Sequence, residues 1–378
     1  MILYLVISLA FLTHVGFAGS RLAVPLFAVD QGATAFVVGT VMSLYAALPA
    51  VLALPAGRLL DRLGFRLPLM FGSIGLCAAL LLPFLFPSVT MLYCTTTLLG
   101  VCFMTFQLAT QTLTGAIGGP AERARNFSLL SLGYALANFS GPLIAGVLID
   151  HVGHSRTFLA LAMPLIPVVV ITAMGARWIP DVHAKSEVAK GGFLELLRIK
   201  ALRQTLIASG IISSAWDVYQ FLMPIYGRSL GLTATAIGSI LSAFATSIVL
   251  VRVVVPFAVR RIGEAQMLTY AMFVACAAYL LFPLFQSPWL LAAVSFLLGV
   301  GCGCGQPLSL TMVYNASPKG RAGEAAGMRI TVNQVTHFMI PLFFGAVGSA
   351  AGYATVFLLN SGFLVIGGWV SRRYHLAR

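Results

Sequence analysis

Gly32-Ala33-Thr34-Ala35-Phe36-Val37-Val38-Gly39-Thr40-Val41-Met42-Ser43 returns 199 residues later as Gly231-Leu232-Thr233-Ala234-Thr235-Ala236-Ile237-Gly238-Ser239-Ile240-Leu241-Ser242. The same offset carries Pro25 to Pro224, Arg62 to Arg261, Gly64 to Gly263 and Cys77 to Cys276. It continues without a gap through Gly100/Gly299, Gln107/Gln306, Pro142/Pro341 and Gly146/Gly345. Glycine matches alone are cheap in a glycine-rich chain, but Pro, Gln, Cys and Arg matches in one register are not. The chain is therefore two copies of one unit.

Composition settles the solvent of that unit. Of 378 residues 59% are hydrophobic and only 9% charged, more apolar side chain than a soluble domain of this size can hide. Apolar runs long enough to cross about 30 Å of hydrocarbon follow one another with short polar breaks. Twelve such spans are expected, near 3–28, 35–57, 67–86, 90–117, 127–149, 156–178, 204–227, 234–257, 265–285, 289–314, 325–347 and 353–371. The fold class is thus all-α integral membrane, with two pseudo-symmetric bundles of six helices. Residues 1–177 form the first bundle, 178–203 a polar linker and 204–378 the second. Within the linker, 192–199 alternates apolar and charged positions, as suits a short helix on the membrane surface.

The formal charge of +13 points to orientation, not to a nucleic-acid partner. With the N-terminus inside, all of the 23 Lys/Arg except Arg21, Arg156, Arg228 and Arg252 fall on the cytoplasmic side, which is the positive-inside bias. Both termini are expected there, in the plasma (inner) membrane. The small residues of 16–20 lack a preceding basic segment, so the first span reads as retained rather than as a cleaved signal. The six Cys lie inside predicted spans and read as packing residues. No cofactor, metal site, Walker loop or catalytic constellation is read in the chain, so it is not expected to be an enzyme. The run Gly299–Gly305 lacks dinucleotide-loop spacing and suits close helix contact. Asp150, His151 and His154 read as a solvated outer loop.

Two motifs carry a family resemblance. Gly57-Arg58-Leu59-Leu60-Asp61-Arg62-Leu63-Gly64-Phe65-Arg66, after the second span, resembles the loop signature of the major facilitator superfamily, with Phe65 in place of one basic residue. Its second copy keeps Gly263 but places Arg260 where Asp61 would recur. Gly133, Gly141-Pro142 and Gly146 in the fifth span resemble the motif that the antiporters of that superfamily carry there. The resemblance covers essentially the whole chain. It implies alternating access between two halves, gated by Gly57, Asp61, Arg62, Gly64 and Arg66 and by Gly133, Gly141, Pro142 and Gly146. One departure stands against it: Thr96, four residues before Gly100, occupies the position where antiporters often carry arginine.

Ionisable groups inside the bilayer are costly and mark function. Asp217 is the one acid placed deep in a span, and Arg21 is the mate of Gln220, one helical turn away. An Arg21–Asp217 pair linking the first and seventh spans is expected, and two readings of it stand: a proton carrier, or a static buried ion pair. Trp216, Tyr219, Gln107, Gln306, Asn138, Asn333 and His337 complete the candidate binding set. His14 reads as a packing residue, and Arg252 and Arg329 read as cations reaching for headgroups. The function expected is proton-coupled efflux of a small amphipathic or polar organic solute by a monomer. Two alternatives are an importer of an organic anion anchored by Arg21 and a membrane sensor that has lost transport.

Overall fold

The computed structural model describes residues 2–117, 122–174, 193–318 and 321–376, with the side chains of residues 53, 54, 57–63, 124, 193–195, 256, 322–324, 326 and 373–376 outside that description. Its secondary structure is helical: α1 (Ile2–Asp30), α2 (Ala35–Leu63), α3 (Arg66–Leu85), α4 (Val89–Ala116), α5 (Arg123–Val152), α6 (His154–Ala162) and α7 (Leu165–Met174) precede the linker. After it come α8 (Phe193–Arg198), α9 (Lys200–Ser229), α10 (Ala234–Ile262), α11 (Glu264–Leu281), α12 (Pro288–Ala316), α13 (Ala322–Ala351) and α14 (Tyr353–Leu376). Among the described residues twelve spans are long and apolar enough to cross a membrane. The seventh to twelfth spans are α9 to α14, and the sixth is α6 and α7 together, divided at Met163-Pro164 because proline donates no amide hydrogen to the helix ladder. Within lipid a backbone has no water to satisfy it, so a helical chain is what the composition requires.

The repeat is written into the backbone. Six glycines have positive φ among the described residues: Gly32 and Gly231 (80° and 75°), Gly64 and Gly263 (71° and 80°), Gly153 and Gly352 (82° and 81°). They form three pairs at the repeat offset, and they sit where α1, α2, α5, α9, α10 and α13 end. A Cβ would meet nothing at five of the six. Conformation, not space, therefore demands glycine there. The quoted stretch follows the same logic: Gly231 turns the chain, then the Thr233 side chain accepts the Ala236 amide at 3.2 Å to cap α10.

A short helix does form within the expected stretch, as α8, and its Leu196 is fully buried with Leu202, Leu206, Val313, Ala325 and Met328. The Gly299–Gly305 run lies inside α12, its glycines facing Phe244 and Ile248 of α10, Ala271 and Ala275 of α11 and Ile212 of α9. This is close helix packing by small residues.

The two six-helix groups meet along α1·α9, α2·α13 and α5·α10. The last two seams are copies of each other. A Cβ on Gly39 would strike the Pro341 carbonyl and one on Gly238 the Pro142 carbonyl; one on Gly345 would strike Ala35 and one on Gly146 Ala234. Backbones touch at all four points, and all four lie in the parts of the helices remote from the chain termini. The structure is thus sealed at the face opposite the termini.

Two substitutions separate conformation from space. Gly352 has φ 81° and ψ 167°, a region essentially closed to L side chains, so Gly352→Ala is expected to cost about 1–3 kcal/mol. Gly362 lies in α14 with open space around it, so Gly362→Ala is expected to be neutral or stabilising by up to about 1 kcal/mol. Thermal unfolding of the detergent-solubilised protein reads both, and a loss at Gly362 matching that at Gly352 would refute the backbone argument.

Candidate functional site

The sealed face is held by polar contacts between the halves. Asp30, at the end of α1, receives Arg228 of α9 in a two-pronged pair, Nε to Oδ1 at 2.7 Å and Nη2 to Oδ2 at 2.8 Å. His154 Nε2 adds a contact to Oδ2 at 2.7 Å. Asp150 of α5 reaches across to the start of α10, where its two oxygens accept the amides of Ala234 and Thr235 at 3.0 and 2.7 Å. Its repeat mate Ser349 does the same for α2, accepting the Phe36 amide at 2.7 Å. Helix N-termini carry unsatisfied amides and partial positive charge, so a carboxylate or hydroxyl is a fitting partner. Asp150 and His154 are therefore parts of a closure, correcting their reading as a solvated loop.

Below the seal, toward the termini, both halves contribute to a cavity of about 190 Å³. His14, Gln107, Ser131, Tyr134 and Asn138 line it from the first half, and Trp216, Ala245, Ile248 and Arg252 from the second. Thr110 and Tyr134 hydroxyls bond at 3.1 Å, and the Asn138 side chain donates to the Tyr134 carbonyl at 2.9 Å. Helix rise places Asn138, His14 and Gln107 about 21, 24 and 27 Å from the sealed ends of their helices. They form one polar layer in the depth of the bundle.

Asp217 stands near that layer but not as expected. Its Oδ2 meets His337 Nδ1 of α13 at 2.6 Å, with the carboxylate 1% exposed and the imidazole 25% exposed. Oδ1 is buried with no hydrogen bond. Arg21 is elsewhere: its guanidinium lies over the Tyr45 ring at 5.8 Å and its Nε is unpartnered. The Arg21–Asp217 pair is thus not formed. One reason is depth, since at 1.5 Å per residue Arg21 is about 13 Å from the end of α1 and Asp217 about 18 Å from the end of α9. The other is cost: α1 and α9 are joined instead by Asp30 and Arg228, whose side chains remain 24% and 39% exposed and escape most of the desolvation of a buried pair.

Other expected site residues divide. Gln107, Asn138 and Trp216 line the cavity. Tyr219 does not: it is fully buried against Phe244 and Phe282, its hydroxyl donating to the Ile240 carbonyl at 3.2 Å. Asn333 is a tie between helices, its Oδ1 accepting from Ser209 at 3.0 Å. Gln306 Oε1 is bound to Arg329 at 2.5 Å, and Arg329 also donates to Ser309 at 3.0 Å. Arg329 is 6% exposed, so it turns inward to α12 instead of reaching for headgroups. Gln220, half-buried, is not among the cavity residues. His14 and Arg252, read from sequence as bland, face the cavity, and only the offset of 199 hints at it: Arg252 falls opposite Ala53. For the motifs, the side chains of Gly57, Asp61 and Arg62 lie outside the described residues, while Gly64 makes the positive-φ turn and Arg66 opens α3, exposed. Gly141 packs on Ala18 and Gly19 of α1, Gly133 on Ile7, and Pro142 and Gly146 form the α5·α10 seam.

Comparison with known proteins agrees with this architecture. The chain is 24% identical to the multidrug resistance protein MdtG of Salmonella choleraesuis over 97% of its own length and 94% of the relative's. It is 24% identical to the class G tetracycline resistance protein of Vibrio anguillarum, over 84% and 81%. Among solved structures, a POT family transporter in complex with a thioalcohol-conjugated peptide superposes with a TM-score of 0.86 at 13% identity, over 99% of this chain and 96% of that one. A bacterial homologue of the human lysosomal transporter Spinster, inward-facing and unoccupied, gives 0.81 at 13%, over 100% and 98%. At such identity these show the fold alone. The model of the Major Facilitator Superfamily matches residues 6–285 and 205–377, and with twelve spans in two mirrored sets, a sealed face and a polar cavity beneath it, the chain belongs to that superfamily.

Proposed function

We propose that this membrane transporter exports a small amphipathic or polar organic solute by alternating access, taking a proton inward for each solute released. The termini face is taken as cytoplasmic, in the plasma membrane. Two relatives named for multidrug and tetracycline resistance support the direction. The observation that carries the proton reading is the Asp217–His337 couple.

Its position supplies the link to movement. α9 touches α1 beneath the Asp30 clamp, and α13 touches α2 at the Gly345–Gly39 seam. Asp217 and His337 tie these two helices together inside one half. A proton arriving at the unpartnered Oδ1 removes the carboxylate charge, and with it the charge-assisted part of the His337 bond. The spacing of α9 and α13 then changes, and both contacts at the sealed face are on those helices. The imidazole, 25% exposed, offers the proton a route to the buried carboxylate.

Asp217→Asn keeps the shape and removes the charge. In proteoliposomes with an imposed pH gradient, gradient-driven transport is expected to be lost, while exchange of solute without a gradient persists. A variant with the pH dependence of the wild type would sink the proton assignment.

The clamp makes a separate prediction. A half-exposed ion pair contributes up to about 1 kcal/mol, roughly a fivefold shift between two states. Asp30→Asn is therefore expected to raise several-fold the labelling, from the face opposite the termini, of a cysteine placed at Ala245. Unchanged labelling would show that the seams alone hold that face closed.

A further inference from the structure

Arg252 is a cavity cation that the fold leaves without an opposite charge. It lies 18 residues into α10, about 27 Å from the sealed end at 1.5 Å per residue, and lines the cavity between the halves. Among the described residues the ion pairs within 4 Å are those of Asp30 with Arg228 and His154 and of Asp217 with His337, and none includes Arg252. The repeat places Ala53 at the equivalent position, so the charge belongs to one half only. Asp217, the buried carboxylate nearest in kind, is already committed to His337. Arg21, the second deep cation, is also without a carboxylate and rests on Tyr45.

A guanidinium does not lose its proton at physiological pH. Arg252 is exposed, so its guanidinium stands open to whatever enters the cavity, and no carboxylate of the described residues already holds it. The described residues of the cavity hold no acid, so an anion entering it meets a cation with no competing carboxylate. The remaining lining suits the body of such a ligand: Trp216 and Tyr134 offer ring faces, and Gln107 and Asn138 offer amide donors. The volume of about 190 Å³ falls under the roughly 300–1,000 Å³ of sites for drug-sized ligands.

We infer that the solute is a compact organic anion, a carboxylate or phosphonate on a small planar body, with Arg252 binding its acidic group and Trp216 covering its apolar part. This rests on the transport reading above and narrows it to a substrate class. Arg252, not Arg21, is the anchor.

Binding to the detergent-solubilised full chain tests it with four probes of nearly one shape: benzoate, phenylphosphonate, benzamide and benzylammonium, each followed by equilibrium dialysis. Wild type is expected to bind the two anions and to ignore the amide and the cation. Arg252→Gln is expected to lose at least about tenfold in anion affinity, the scale for stripping one partner from a charge-assisted pair. Arg252→Lys is expected to keep most of it. Anion affinity unchanged in Arg252→Gln would leave Arg252 as a headgroup contact and overturn the inference, as would equal binding of benzamide or benzylammonium, or no anion binding by wild type. If Arg252→Gln does not fold, the charge series on wild type and Arg252→Lys still decides. Dialysis on wild type reads the anion preference and gradient-driven transport reads the proton assignment, so the failure of either is seen separately.

Discussion

Everything in this molecule hangs on two backbone-to-backbone seams, α2 against α13 and α5 against α10. In lipid no hydrophobic force draws helices together, so association depends on how closely the chains can approach. Gly39 against Pro341 and Gly238 against Pro142, with Gly345 and Gly146 one turn further along, remove the side chains that would hold the halves apart. Contact this close has no partial version: the helices either touch or they part. A seam of this kind therefore favours discrete states over continuous flexing. Polar groups fasten the same face where water reaches it, as Asp30 with Arg228 and Asp150 at the start of α10 show.

The charged groups below that face are arranged by the same economy of burial. Asp217 is taken out of contact with solvent and given a histidine; Arg329 is taken out and given Gln306 and Ser309. Arg252, exposed, has no carboxylate within 4 Å among the described residues and lines the cavity. Asp217 and Arg329 thus find their partners within the second half, while Asp30 and Arg228 join the halves at the seal.

The sequence made the architecture readable because repetition leaves traces at every level. Gly32, Gly64 and Gly153 recur as Gly231, Gly263 and Gly352, and the structure turns at all six with positive φ. The site was less legible. The linked helices α1 and α9 were expected correctly, but the residues joining them are Asp30 and Arg228, not Arg21 and Asp217. Span lengths are soft by a turn, and one turn decides which of two nearby charges meets a partner. His337 was visible as a polar mate of Asn138, yet that it reaches Asp217 depends on how α13 is rotated against α9, which no pattern along a single helix records. Tyr219 failed as a cavity residue for the same reason. It lies three residues from Trp216 on one helix, but it is locked against Phe244 and Phe282. His14 and Arg252 were undervalued because a lone polar residue in a span looks alike whether it faces lipid, a neighbour or a cavity.

The copied seams carry unequal latches. Asp150 brings a full negative charge and two acceptors to the start of α10, whereas Ser349 at the same place in the second copy brings one neutral hydroxyl to α2. A charged acceptor on amide donors is roughly twice as strong as a neutral one, and it also meets the positive end of the helix. The polar latch between α2 and α13 is accordingly the weaker of the two. One backbone plan, used twice, thus gives a seal whose two flanks match in packing and differ in the strength of their fastening.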